Sequence, residues 1–120
     1  MNLERLQWEC HHRARTAGWW DEHDAMRPEQ RKHFVAGKIA LVHSEVSESL
    51  EAFRKNQMDD HLRSRLGVEV EFADAIIRIL DLAGALNLDV AGAVIEKLEY
   101  NARRPDHTRE ARAAAGGKSI

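Results

Sequence analysis

At 120 residues the chain has room for one domain with a modest core. Charged residues make up 32% of it with both signs interspersed, and the formal net charge is −2, which excludes the basic excess of a general nucleic-acid binder. Cys10 is the only cysteine, so neither a disulfide framework nor a cysteine zinc site is expected.

No apolar run reaches the ~18 residues of a membrane span. Residues 1–7 lack the apolar core of a signal peptide. A cytoplasmic domain with no membrane association and no stable nucleic-acid partner is the expectation.

Strand-like alternation is scarce, and Ala, Leu, Glu and Arg dominate, so the chain reads as all-α. A first helix is expected over residues 3–16, stopped by Ala17-Gly18. A loop over residues 19–27 follows, carrying Trp19-Trp20-Asp21-Glu22-His23-Asp24. Trp8 is expected to pack in the core. Two adjacent tryptophans behind a glycine are harder to bury together, and Trp19 or Trp20 is a candidate wall for a nucleobase.

Pro28 suits the first turn of a second helix, expected over residues 28–55. Val35, Ile39, Val42, Val46, Leu50 and Phe53 recur at helical spacing as one apolar stripe. Beside it run Lys38, Leu41, Glu45, Glu48 and Ala52. Glu45 falls between Leu41 and Val42 on the inward arc, with Glu48 at the arc's edge and Glu51 pointing away.

Residues 56–60 form a polar connection, and a third helix is expected over residues 62–86. Its apolar residues, among them Phe72, Ile76, Ile79 and Leu82, wrap most of the circumference. The narrow polar strip holds Glu71, Asp74, Arg78 and Asp81. A short chain cannot cover so apolar a helix on all sides alone, so a homo-oligomer pairing these helices is expected.

Asp89 is a good N-cap for a fourth helix over residues 90–103, ended by Pro105. Lys97, Asn101 and Arg104 line the edge of its apolar face. The organisation expected is a helical domain over residues 1–105 and a tail over residues 106–120. The Gly116-Gly117-Lys118 end of that tail is expected to be mobile unless substrate or another subunit orders it.

The chemistry rests on two acidic pairs, Glu45-Val46-Ser47-Glu48 and Glu71-Phe72-Ala73-Asp74. Spacing of i, i+3 puts each pair's carboxylates about 60° apart and about one helical turn along. Like charges so close repel unless a cation or a proton sits among them. Facing pairs make a hard, oxygen-rich site suited to Mg²⁺ or Mn²⁺. A di-iron bundle needs Glu-x-x-His on two helices, and only Glu9-x-x-His12 matches. Ordinary charged helix faces remain the plain alternative for the acids.

Three segments together resemble the MazG-type all-α nucleoside triphosphate pyrophosphohydrolases. They are Lys38-Ile-Ala-Leu-Val-His-Ser-Glu45-Val-Ser-Glu48-Ser-Leu-Glu51, Glu69-Val-Glu71-Phe-Ala-Asp74-Ala-Ile-Ile-Arg78 and Glu96-Lys97-Leu-Glu-Tyr100-Asn101. The resemblance covers roughly residues 30–105. It implies a four-to-five-helix bundle assembled as a dimer or tetramer. It implies Mg²⁺-dependent hydrolysis of an NTP or dNTP to the monophosphate and pyrophosphate, in nucleotide-pool house-cleaning or in control of a normal dNTP pool. By position, Glu45, Glu48, Glu71 and Asp74 would be the metal ligands. Lys97 and Asn101 would hold phosphate oxygens, assisted by Lys38, Tyr100 and Arg104. Glu48 is the acid placed to take the proton of the attacking water, with Glu45 beside it. The alternative is a non-catalytic nucleotide-binding or helical interaction module.

Overall fold

The computed structural model describes residues 1–105, 109–114 and 116. Most of the expected tail lies outside the described residues. The described chain is helical, with the elements α1 (Leu3–Thr16), α2 (Asp21–Ala25), α3 (Pro28–Lys55), α4 (Gly67–Ala85), α5 (Val90–Arg103) and α6 (Arg109–Ala113). An isolated antiparallel bridge, Met58 to Leu66, is the sole β pairing among the described residues. No described helix is long and apolar enough to cross a membrane.

The chain forms two compact units that divide after Leu88. In the first, α4 is central and packs against both α1 and α3. Local signals fix the helix ends. The Asn2 side chain accepts from the Arg5 N–H at 2.8 Å and starts α1. Gly18, at φ +82°, takes the left-handed conformation that follows α1. Pro28 sits in the first turn of α3, and Asn56 closes that helix at φ +51°.

Two boundaries differ from the sequence expectation. Residues 21–25, expected as loop, form α2. The helix expected from residue 62 starts at Gly67, because the intervening N–H groups are already engaged. Asp59 Oδ2 accepts from His61 and Leu62, and the Gly67 N–H donates to Gln57 O at 2.8 Å. Glu69 then accepts from the Leu66 N–H at 3.1 Å and secures the first turn of α4. At the other end, a Cβ on Gly84 would lie 2.5 Å from His11 Cβ, so α1 and α4 approach there at a distance that needs glycine.

The tryptophans also differ from expectation. Trp8 is 51% exposed, stacked on His12 with 4.5 Å between ring centroids, and is not a core residue. Trp20 is 0% exposed and is the largest side chain of the core. On α3 the inward arc holds Lys38, Val42, Glu45, Ser49 and Ala52. The stripe Ile39, Val46, Leu50 and Phe53 faces outward, with Phe53 69% exposed. Phe72, Ile76 and Ile79 form a comparable exposed stripe on α4.

The second unit begins at Asp89, whose side chain accepts from the Gly92 N–H at 2.9 Å and caps α5 as expected. Along α5, Val94, Ile95 and Leu98 are exposed.

Candidate metal and nucleotide site

The polar strip of α4 meets the inward arc of α3. Ligand oxygens of Glu45, Glu71 and Asp74 converge within 4.8 Å of one another. Oxygens around a six-coordinate Mg²⁺ are spaced about 3 to 4.2 Å apart, so a small closure would seat the ion. Glu45 is 8% exposed. Glu48 is exposed and outside the three-atom cluster, yet it faces Glu71 closely enough to disfavour its ionisation.

Burial pushes the Glu71 carboxyl up to about 7, and the crowding carboxylates of Glu45, Glu48 and Asp74 add to the rise. Burial likewise raises Asp74, with Glu45 adding to it and Arg78 opposing it. Glu71 Oε2 is buried and accepts no hydrogen bond from the described residues. A buried carboxylate oxygen without a donor takes a proton or a cation. The donor set is all carboxylate oxygen, the chemistry of Mg²⁺ and Mn²⁺, so these residues fit the ion that the resemblance implies.

A pH prediction follows. A carboxyl whose folded pKa lies above its unfolded value holds its proton more tightly in the folded state. Metal-free stability contributed by Glu71 is therefore present at acidic pH and is lost as pH rises from the ordinary carboxylate range through about 7. Melting scans should show that Mg²⁺ raises the melting temperature more at pH 8 than at pH 5.5. An equal Mg²⁺ effect at both values would contradict the placement of Glu71.

Beside the acids lies a cavity of about 500 Å³. Leu6, Glu9, Cys10, Arg13 and Ala14 line it from α1, and Trp19 from the turn after α1. Lys38 and Glu45 come from α3, and Asp74, Ile77, Arg78, Asp81 and Leu82 from α4. Trp19 is 56% exposed. Trp20 does not line this cavity. Its ring is enclosed by His11, His23 and Phe34, which corrects the expectation of an open base wall at that residue. Lys38 Nζ sits 5.5, 5.0 and 5.3 Å from the ring centroids of Trp19, Trp20 and Phe34, so three aromatic faces fix its ammonium at the cavity wall.

Two features had no role in the sequence reading. Arg78 Nε donates to Glu45 Oε1 at 2.8 Å, placing a guanidinium among the acids. Asp81 is buried and accepts from Trp20 Nε1 at 2.9 and 3.1 Å and from His11 Nδ1 at 2.8 Å. Arg15 Nε donates to His11 Nε2 at 2.9 Å, so Nε2 accepts and Nδ1 is the nitrogen that donates to Asp81. Both residues continue the polar strip 71, 74, 78, 81. That spacing was the only signal for either role.

Lys97, Tyr100, Asn101 and Arg104 lie in the second unit. Lys97 Nζ is 4.7 Å from the Tyr100 ring centroid, and Arg104 Nη1 donates to Asn101 Oδ1 at 3.5 Å. These four share one end of α5 and the residue after it. The chain matches no family model, no curated protein and no solved structure.

Proposed function

We propose that this chain is a Mg²⁺-dependent nucleoside triphosphate pyrophosphohydrolase of the MazG type, built as a helical bundle. The observation that carries the reading is the convergence of Glu45, Glu71 and Asp74 oxygens beside a cavity walled by an exposed tryptophan. The apolar lining and the Trp19 face suit a base, and the acids suit the metal-bound triphosphate.

Glu45, Glu71 and Asp74 hold Mg²⁺, with Mn²⁺ as a substitute. When bound, the ion neutralises phosphate charge and makes a nearby water more acidic. Glu48, exposed next to Glu71, receives the proton of the water that attacks the α-phosphorus. A new P–O bond forms as the bond to the bridging oxygen breaks, and pyrophosphate departs with the electron pair. Lys38, held by its three rings, balances phosphate charge. Lys97, Asn101, Tyr100 and Arg104 are assigned to the phosphates by the resemblance alone.

The test is pyrophosphate release from a panel of canonical and modified NTPs and dNTPs, with Mg²⁺ and with EDTA. Metal-dependent release with one nucleotide preferred supports the reading. Nucleotide binding without release from any of them replaces it with the non-catalytic binding module.

A homodimer or homotetramer belongs to the same reading. The outward stripes of α3 and α4 are more apolar than a monomer's surface usually leaves bare. Sedimentation should show an oligomer at micromolar protein. Leu50→Glu combined with Phe53→Glu should convert it to monomer. A wild-type monomer overturns this part of the proposal.

A further inference from the structure

Arg78 belongs at once to the acid cluster and to the cavity. Its Nε is bonded to Glu45 Oε1 at 2.8 Å, and its side chain also lines the cavity wall. Among the described residues no hydrogen bond engages its two terminal nitrogens. Its side chain is 28% exposed, so those nitrogens are within reach of a ligand. The guanidinium keeps its charge at any working pH, and its fork matches phosphate oxygens as well as it matches a carboxylate.

Resting on the pyrophosphohydrolase reading, we propose that Arg78 is a phosphate-binding residue that Glu45 holds while the site lacks metal. In the metal-free protein Arg78 is the cation that offsets Glu45. A divalent ion arriving at Glu45 competes with that pairing. Arg78 is then repelled from the ion and drawn to the phosphate chain that the ion brings beside the cavity. The same residue therefore weakens binding of the ion alone and strengthens binding of the polyphosphate.

Those opposite signs make the test. Titration calorimetry would measure Mn²⁺ alone, and inorganic tripolyphosphate in the presence of Mg²⁺, on wild-type protein, Arg78→Gln and Arg78→Lys. Removing a unit charge from beside the ion should tighten Mn²⁺ binding roughly three- to tenfold in Arg78→Gln. Losing a charge-assisted bond should weaken tripolyphosphate binding about tenfold or more in the same variant. Arg78→Lys keeps the charge without the fork, so its Mn²⁺ affinity should stay near wild type while tripolyphosphate binding weakens.

Weaker Mn²⁺ binding in Arg78→Gln would overturn the proposal, because Arg78 would then orient Glu45 for the ion. Unchanged binding of both ligands would overturn it too and leave Arg78 a structural ion pair. A wild-type protein that binds neither Mn²⁺ nor tripolyphosphate would instead remove the parent reading. A melting curve on each variant separates these outcomes from loss of fold.

Discussion

Glu71→Gln should lower metal-dependent pyrophosphate release about a thousandfold or more, the rate equivalent of several kcal/mol of charge stabilisation. The same change should raise the melting temperature of the metal-free protein by roughly 2–5 °C. The two effects share one cause. Glu71 Oε2 is buried without a donor, among carboxylates that drive its carboxyl up to about 7. An uncharged amide of the same shape removes the repulsion and brings an N–H₂ that the neighbouring carboxylates accept. It also removes an oxygen from the only three-acid cluster found among the described residues.

Function and stability moving in opposite directions is the signature of a site held under repulsion for binding. A Glu71→Gln protein that keeps its activity would remove Glu71 from the metal site. One that melts below the wild type would mean that the carboxylate is satisfied in the metal-free protein. The control is Glu51→Gln on the exposed side of α3, where the side chain pairs with Lys55 at 2.9 Å. That change should leave both measurements near wild type.

Much of this site was legible in the sequence because helical spacing is a strong constraint. Glu45 on the inward arc of α3 and Glu71 and Asp74 on the polar strip of a greasy helix could meet few other partners. Their convergence needs only that α3 and α4 pack face to face. The start of α4 was misplaced because Asp59 uses its carboxylate to take N–H groups that a helix would otherwise use, and apolar spacing does not register that competition.

The sequence leaves Trp19 or Trp20 as the candidate base wall, because two adjacent tryptophans are hard to bury together, and it does not say which one turns inward. The short helix α2 resolves this by turning Trp20 inward while Trp19 remains at the cavity. The ion pair of Arg78 with Glu45 lay beyond sequence reading, since Arg78 could as well have bonded Asp74 or Asp81.

Asp81→Ala should cost about 3–5 kcal/mol. Folded domains hold a margin of about 5–15 kcal/mol, so the melting temperature should fall on the order of 15 °C. The loss exceeds that of one hydrogen bond because the carboxylate serves a buried donor and a part-buried one. Trp20 Nε1 and His11 Nδ1 both end on it, and alanine leaves each without a partner. It also opens a void beside the fully buried Trp20 ring.

Asp81→Asn keeps one oxygen but opposes the other donor with an N–H₂, so its cost should be intermediate. The bonds cross from α4 to α1 and to the residue that starts α2. Freed Trp20 therefore loosens the turn that presents Trp19 to the cavity. Where the variant stays folded, it should bind the nucleotide preferred in the release panel more weakly while keeping Mn²⁺ affinity, because Glu45, Glu71 and Asp74 stand on α3 and α4. Equal losses in both affinities would mean that Asp81 supports the acids themselves. A melting temperature within about 2 °C of wild type, a difference well under 1 kcal/mol, would show that Trp20 and His11 find other partners.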